Sequence, residues 1–204
     1  MKEREKEIFT ALDRATPSEV FFLPYRDDPY RFLVSVILSA SSTDRMAVIS
    51  SERLFERFPD VSAVAEADEK EIEALIHSSG LSKTKAGTIK RVSLYIRDNG
   101  LPKTKEELLG IKGIGEKTAA CYAQHVLSLP AVVVDTHFER VSYRLGLSSS
   151  HDREKTMREI EKSFDSPCWS RLSDCVNYLG RTICRPRPEC GRCFLEEKCR
   201  KRFD

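Results

Sequence analysis

Apolar residues recur at helical spacing along most of the chain, in segments that end at proline or glycine. Residues 3–15 combine charges with an apolar face and stop before Pro17, which predicts an amphipathic helix. Residues 30–41 are almost all apolar. A buried strand would suit that run locally, but its length and its helical neighbours favour a core helix. Residues 21–29 are predicted to connect these two helices.

Capping residues and glycines divide the rest of the chain into further helices. We expect helix starts at Asp44, Asp68, Ser82, Thr104 and Gly115, and helix stops at Pro59, Gly80, Gly100 and Pro130. The pairs Asp68–Glu71 and Thr104–Glu107 have the spacing of a capping box. Two or three more helices follow up to Gly180, without an internal repeat or a low-complexity linker. The pattern predicts an all-α protein with two closely joined lobes.

Composition and charge narrow the class of protein only slightly. The 204 residues have a formal net charge of +2 and an apolar content of 40%, which is ordinary for a globular protein. The charged N-terminus has no apolar signal core and no apolar run could span a bilayer, so we expect a cytoplasmic protein without membrane contact. Residues 181–202 carry eight Lys and Arg against three Glu. A solvated tail and a nucleic-acid contact both explain such a run.

The segment Leu109–Ala120 contains a glycine hairpin between two helical patterns. Gly113 and Gly115 flank Ile114, and glycine there permits positive φ and a close approach of the backbone to a ligand. Free N–H groups at the start of the next helix form an anion site that suits a DNA phosphate. The alternative is a tight helix–helix turn in which Ile114 fills the core.

Lys117 lies in the first turn of the helix that follows the hairpin. Lysine is usually favoured at the other, negative pole of a helix. At the positive pole its ammonium form is disfavoured, which helps a lysine that must attack as a free amine. A solvated surface lysine is the simpler interpretation.

A carboxylate, Asp135, ends an apolar run eighteen residues after Lys117. It stands at the start of a predicted helix and could simply cap that helix. Thr136 and Glu139 have capping-box spacing, so they could cap the helix themselves and leave Asp135 free for chemistry.

Four of the seven cysteines lie within the last 21 residues, and they are Cys184, Cys190, Cys193 and Cys199. Clustered cysteines in a cytosolic chain indicate a metal centre more than disulfides. Their spacing alone allows either zinc or a [4Fe–4S] cluster. The other three, Cys121, Cys168 and Cys175, are interpreted as core or helix residues.

These motifs together resemble the endonuclease III branch of the helix-hairpin-helix DNA glycosylases. The shared pattern is the glycine hairpin, then Lys117-Thr-Ala, then Val-Asp135-Thr-His, and residues 29–144 follow it without a large gap. Residues 37–44 are similar to the family's Leu-Ser-Ala-Gln-x-Thr-Asp segment. Residues 80–86 are similar to its lesion-wedge loop.

The resemblance implies an all-α, two-lobed fold. A six-helix barrel lobe would span residues 22–132, with the hairpin at about 108–119. A second helical lobe would combine residues 1–21 with 133–204, and DNA would bind in the cleft between the lobes.

The resemblance also implies a bifunctional enzyme of base excision repair. It would remove oxidised or damaged pyrimidines from duplex DNA and cleave the abasic strand by β-elimination, with Lys117 as the nucleophile and Asp135 as the essential carboxylate. Its partner would be double-stranded DNA with damaged bases or abasic sites. We expect a monomer that works in the cytoplasm, on the nucleoid if the source is a prokaryote.

The family places a [4Fe–4S] cluster on its four cysteines, although the first spacing is five residues here and six in the family. The implied DNA contacts are Lys112, Gly113, Ile114, Gly115, Ser41, Leu81, Arg185 and Arg187. Ser41 lies where the family usually has a glutamine-containing pair, and Lys112 where it usually has proline. Leu81 is the wedge candidate, and a core leucine is the alternative.

Two other functions remain open at this point. A monofunctional glycosylase of the same superfamily would have serine or tyrosine in place of Lys117. A non-enzymatic protein could use the hairpin and a metal-stapled loop only to bind DNA. Incubation with a thymine-glycol duplex and borohydride distinguishes the three. A bifunctional enzyme is trapped covalently, a monofunctional one releases the base without trapping, and a binding protein does neither.

Overall fold

The computed structural model of the chain describes residues 1–18 and 24–203, and part of the connector predicted at 21–29 lies outside them. The described residues form helices and no β-strand, which confirms the all-α prediction. The α-helices are α1 (Glu3–Ala15), α2 (Pro29–Ser39), α3 (Asp44–Arg57), α4 (Val61–Glu66), α5 (Glu69–Ile76), α6 (Ser82–Asn99), α7 (Lys105–Leu109), α8 (Glu116–His125), α9 (Thr136–Leu145), α10 (Arg153–Ser163) and α11 (Trp169–Thr182). Short 3₁₀ helices cover His77–Ser79, Ser166–Cys168, Cys190–Arg192 and Glu196–Lys198.

The chain divides into two compact units. One, the continuous unit, spans Phe22–Leu129, and the other, the discontinuous unit, combines Met1–Phe21 with Pro130–Asp204. None of the described helices is long and apolar enough to cross a membrane.

Helix α2 is the centre of the continuous unit. It packs against α3, α6 and α8, and its apolar side chains are enclosed almost all round. The run at residues 30–41 is therefore a core helix and not a strand, and the helix ends at Ser39, two residues before the predicted end at residue 41. The helix begins at Pro29, whose fixed φ suits the first turn, and the Asp28 carboxylate accepts from Arg31 N–H at 3.0 Å.

Two predicted capping arrangements differ in detail from the structure. Thr43, and not Asp44, caps α3 by accepting from Met46 N–H at 3.3 Å. Asp68 does cap α5, but the Glu71 carboxylate pairs with the Arg57 guanidinium at 2.8 Å and does not reach back to the cap. At Asp68 the sequence spacing gives the cap position, whereas a charged residue of another helix, Arg57, decides where the Glu71 carboxylate goes.

The capping-box spacing at Thr104–Glu107 also gives a modified arrangement. Thr104 accepts from Glu107 N–H at 3.1 Å, while the Glu107 carboxylate accepts from Lys103 N–H at 2.9 Å, one residue before the cap. Helix α8 ends at His125, four residues before the predicted end at Leu129.

The discontinuous unit has a core of its own, built from α1, α9, α10 and α11. Its buried members are Ile8, Leu12, Val132, Val134, Phe138, Val141, Leu145, Leu147, Ile160, Phe164, Leu172, Cys175, Val176, Leu179 and Leu195. Arg171 of α11 fixes the end of α1, because its guanidinium pairs with Asp13 at 2.6 Å and donates to the Thr16 carbonyl at 2.8 Å. The N-terminal helix is thus an integral part of this unit.

The glycine hairpin joins α7 to α8 and uses its two glycines differently. Gly113 has φ +104, and a Cβ there would lie 2.3 Å from the Thr88 hydroxyl. Gly115 has φ −106 and open space around it, so it needs no positive φ. The Ile114 side chain is only 8% exposed and fills the core, as in the alternative interpretation of the hairpin.

We predict opposite responses to the same substitution at these two glycines. Gly113→Ser should lower the free energy of unfolding by roughly 1–3 kcal/mol, because it adds both positive-φ strain and a collision with Thr88. Gly115→Ser should be neutral or slightly stabilising, since serine is a good N-cap in extended backbone. Urea denaturation of both variants measures the difference. Equal losses of stability would contradict the assignment of Gly113 as the constrained position.

Candidate active site

Lys117 is half-buried in the first turn of α8, where the sequence placed it. Its Nζ donates to the Ser39 hydroxyl at 3.1 Å, and Ser39 is the last residue of α2. Gly115, at the N-cap of α8, supplies no side chain to satisfy the N–H groups of the first turn. The amine therefore lies at the positive pole of a helix, with one hydroxyl as a hydrogen-bond acceptor.

A second lysine, Lys85 of α6, lies close to Lys117. Only 4% of Lys85 is exposed, and its Nζ donates to the Leu38 carbonyl at 2.8 Å and to the Ser79 carbonyl at 2.6 Å. Burial, and then the positive charge of Lys117, lower the pKa of Lys85 to about 8. No sequence motif marks Lys85 as functional, although it lies inside the segment that resembles the wedge loop.

The two carbonyls bound by Lys85 stand at the bases of two exposed segments. Leu38 leads to Ser41 and Ser79 leads to Leu81, and both Ser41 and Leu81 adopt φ 51, a left-handed conformation that is costly for these residues. Leu81 is 63% exposed, so it is not a core leucine. Ser41 and Leu81 thus lie at the surface of the continuous unit. The buried Lys85 ammonium connects the backbone that precedes each of them through its two hydrogen bonds.

The remaining hairpin residues are also at the surface of this unit. Lys112 and Gly113 are exposed, and the Lys112 carbonyl accepts from the Arg91 guanidinium at 2.7 Å. Arg91 belongs to α6, so the helix that carries Lys85 also holds the hairpin backbone.

In the discontinuous unit, Asp135 is the N-cap of α9. Its Oδ1 accepts from the backbone N–H of His137 at 2.9 Å and of Phe138 at 2.8 Å. Of the two caps that the sequence allowed, Asp135 itself is the one formed, and the Glu139 carboxylate instead contacts His151 at 2.5 Å. Oδ1 of Asp135 therefore caps α9, and Oδ2 takes no part in the cap.

The other oxygen of Asp135 is held by α11. Asn177 donates from Nδ2 to Asp135 Oδ2 at 2.5 Å, and Arg181 donates from Nε to Asn177 Oδ1 at 2.6 Å. One turn or so earlier, Ser170 and Ser173 accept from the backbone N–H groups of Ala131 and Val133, at 3.3 and 3.0 Å. We call Ser170, Ser173, Asn177 and Arg181 the polar stripe of α11.

All four cysteines of the C-terminal cluster line one cavity of the discontinuous unit, of about 370 Å³ including its part open to solvent. Burial is the main cause that raises the pKa of the Cys193 and Cys199 thiols, and the charges of the neighbouring cysteines act in the same direction. Within residues 1–18 and 24–203, no three metal-binding side chains converge tightly enough to enclose a single ion. The donor set, four thiols around one cavity, fits a cluster bound by four cysteines.

Polar groups contact the sulfur atoms of Cys184 and Cys199 in this cavity. Arg144 donates to Cys184 Sγ at 3.7 Å, and the backbone N–H of Lys201 donates to Cys199 Sγ at 3.4 Å. The Arg144 guanidinium also binds the carbonyls of Arg185 and Pro186 at 2.6 and 3.1 Å. Arg144, which the sequence analysis did not single out, therefore fixes the backbone of the loop between Cys184 and Cys190.

The two arginines of that loop are exposed. Arg185 keeps one hydrogen bond, from Nε to the Arg181 carbonyl at 3.2 Å, and Arg187 is at the surface beside it. Cys121 and Cys175 are buried and Cys168 is partly buried, and none of the three lines the cluster cavity.

Comparisons with known proteins place this arrangement in a family. Residues 34–166 match the HhH-GPD superfamily of base excision DNA repair proteins. Endonuclease III of Synechocystis sp. is 38% identical over 203 residues, which cover 97% of this chain and 92% of the relative. Endonuclease III of Thermotoga maritima is 34% identical over 176 residues, covering 84% and 83%. A solved structure of a trapped endonuclease III–DNA covalent intermediate has a TM-score of 0.90 at 29% identity, covering 98% of this chain and 97% of that one.

The chain belongs to the endonuclease III family. The resemblance found in the sequence is confirmed, and the chain is a DNA glycosylase of base excision repair, with the lyase activity typical of the family. The non-enzymatic alternative is therefore wrong. Members of the endonuclease III family generally contain an iron–sulfur cluster.

The lowered pKa of Lys85 leads to a prediction about stability and pH. Between pH 8 and about 10.5, Lys85 is neutral in the folded state but still protonated in the unfolded chain. The unfolded state binds more protons there, so the free energy of unfolding should rise with pH. Compared with Lys85→Met, the wild type should gain about 3 kcal/mol across this window.

Urea denaturation at pH 7 and pH 10 measures this gain. Lys83→Met, which removes an exposed lysine of the same helix, is the control, and its difference from the wild type should stay nearly constant. If the wild type and Lys85→Met keep the same difference at both pH values, then Lys85 is not a buried ammonium at neutral pH.

Proposed function

We propose that the chain is a bifunctional DNA glycosylase and abasic-site lyase for oxidised or damaged pyrimidines in duplex DNA. Lys117 is its nucleophile and Asp135 its essential carboxylate. The observation that carries the proposal is the environment of Lys117: a half-buried amine at the positive end of α8, next to the buried ammonium of Lys85. The Ser39 hydroxyl accepts a hydrogen bond from the Lys117 amine and so holds it at the start of the helix that follows the hairpin.

The reaction begins with a damaged nucleotide that is turned out of the helix, because the glycosidic bond is not reachable in stacked DNA. Positive charge develops at C1′ as the base leaves with the bonding electron pair, and the carboxylate of Asp135 stabilises it. The neutral amine of Lys117 forms a bond to C1′, and opening of the sugar gives a Schiff base. Loss of a C2′ proton then expels the 3′ phosphate and cuts the strand.

The contacts to DNA are proposed on exposure and charge. The backbone at Gly113–Gly115, with Lys112 beside it, would bind a phosphate at the start of α8. Leu81 would occupy the stack from which the nucleotide leaves, with Ser41 near the opposite strand. Arg185 and Arg187 would bind phosphates from the loop that Arg144 holds in place.

The cofactor proposed for the four cysteines is a [4Fe–4S] cluster. When bound, it would cross-link the C-terminal loop through its iron–thiolate bonds, and Lys117 and Asp135 carry out their steps without it. The half-buried thiols of Cys193 and Cys199, whose pKa is raised, would release protons on binding metal. We further propose that the protein acts as a monomer on cytoplasmic or nucleoid DNA.

Trapping with borohydride tests the role of Lys117. On a duplex containing thymine glycol, Lys117→Gln should form no covalent adduct and should bind DNA as the wild type does, because glutamine cannot form a Schiff base. Lys103→Gln, which removes an exposed lysine upstream of the hairpin, is the control and should be trapped normally. An adduct from Lys117→Gln at the wild-type rate would show that another amine is the nucleophile.

A monofunctional enzyme would give a different pattern in the same assay. It would release the base while neither the wild type nor the control variant formed an adduct. Such a result would contradict the lyase part of the proposal and leave the glycosylase part in place.

Metal analysis tests the cofactor. The purified protein should be straw-brown, with about four iron atoms and four labile sulfides per chain. Replacement of Cys190 by Ser should lower the iron content and the stability of the C-terminal loop. A colourless protein with about one zinc per chain would overturn the cofactor and leave the roles of Lys117 and Asp135 untouched.

A further inference from the structure

The carboxylate of Asp135 has a partner that the mechanism described above does not use. Its Oδ1 is committed to the N-cap of α9, through the N–H groups of His137 and Phe138. Its Oδ2 accepts from Asn177 Nδ2 at 2.5 Å. Capping alone leaves an aspartate free to rotate its second oxygen, so the Asn177 contact is the one that fixes the plane of this carboxylate.

The direction of the Asn177 hydrogen bond is determined by Arg181. A guanidinium can only donate, so the amide atom 2.6 Å from Arg181 Nε must be the oxygen of Asn177. The NH₂ group of Asn177 then has to face Asp135, and it donates to the carboxylate. The order of donors and acceptors from Arg181 through Asn177 to Asp135 therefore has one consistent assignment.

The backbone that leads to Asp135 is attached to the same face of α11. The Ser170 and Ser173 hydroxyls accept hydrogen bonds from the backbone N–H groups of Ala131 and Val133. Ala131 and Val133 precede Asp135 by four and two residues in an extended segment. Residues two apart in an extended chain project to the same side. The members of the polar stripe are three or four residues apart in sequence, so they lie on one side of α11. The polar stripe of α11 therefore holds both the backbone and the side chain of this segment.

We propose that Asn177 is the positioning residue for Asp135, and that Arg181 sets its orientation. Asn177 does not act on DNA itself. It holds Oδ2 in one place, so that the negative charge is already in position when positive charge develops at the sugar. The inference rests on the proposed role of Asp135 as the essential carboxylate.

A hydrogen bond to a reacting carboxylate should affect the rate of base removal more than the binding of DNA. Asn177→Leu keeps the approximate volume and removes the donor. We expect its single-turnover excision of thymine glycol at saturating enzyme to fall roughly 10- to 100-fold, the range for one lost charge-assisted hydrogen bond. The dissociation constant for DNA and the melting temperature should stay close to those of the wild type.

Two variants make the comparison independent of general damage to α11. Thr182→Val removes a hydroxyl that bonds to the Tyr178 carbonyl of the same helix, and it should keep the wild-type rate. Asn177→Ser leaves a polar side chain too short to reach Asp135, and it should lose activity as Asn177→Leu does. This second variant decides the question if the leucine variant does not fold.

A double-mutant cycle with Asp135→Asn separates positioning from an unrelated structural effect. If Asn177 acts through Asp135, then Asn177→Leu should cause little further loss once the carboxylate is gone. The same fold-loss in the Asp135→Asn background as in the wild type would overturn the inference. So would a rate for both Asn177 variants within twofold of that of Thr182→Val.

The same cycle distinguishes failure of the inference from failure of the proposed function. If Asp135→Asn by itself keeps base excision at the wild-type rate, then Asp135 is not the essential carboxylate and the inference falls with that role. If Asp135→Asn is inactive while the Asn177 variants are unaffected, then only the positioning role of Asn177 is wrong.

Discussion

Hydrogen bonds between one face of α11 and the extended segment before α9 hold the backbone and the side chain of Asp135 in position. Ser170 and Ser173 accept the backbone N–H groups of that segment, and Asn177 donates to the carboxylate at its end. An extended segment has no internal hydrogen bonds, so its N–H groups must be satisfied from outside wherever they are buried. Here α11 both satisfies these N–H groups and binds the carboxylate of Asp135, which is proposed to be catalytic.

The continuous unit uses a buried charge for a comparable purpose. Lys85 gives two hydrogen bonds to carbonyls at the bases of the segments that present Ser41 and Leu81, and it lies near the amine of Lys117. Burying an ammonium is unfavourable unless acceptors surround it, and a neighbouring cation adds to the cost. This cost is reflected in the lowered pKa of Lys85. The Lys85 ammonium connects the two strained segments and lies near Lys117, the proposed nucleophile.

The hairpin and the cysteine loop show how arginines on other elements hold surface backbone. Arg91 binds the Lys112 carbonyl from α6, and Arg144 binds the carbonyls of Arg185 and Pro186 from α9. In each case a planar donor restrains a loop that is proposed to bind phosphate. Cationic side chains and backbone amides that are already restrained lose little conformational entropy on binding DNA. The restraint by Arg91 and Arg144 would therefore favour the proposed phosphate binding.

The sequence by itself determined the helical class, most helix starts and the four clustered cysteines. It also determined the glycine hairpin, with Lys117 in the first turn of the helix that follows, and these motifs together indicated the family. Periodicity, caps and motifs act over a few residues, so they can be read without the fold. The sequence left open whether Asp135 or the pair Thr136 and Glu139 caps α9. Only the tertiary structure decided that Glu139 turns to His151, and that Lys85 and Asn177 lie next to the proposed catalytic groups. Those contacts join residues from different elements, up to 47 positions apart for Lys85 and Leu38. A local pattern does not specify which of several polar side chains will meet when helices pack.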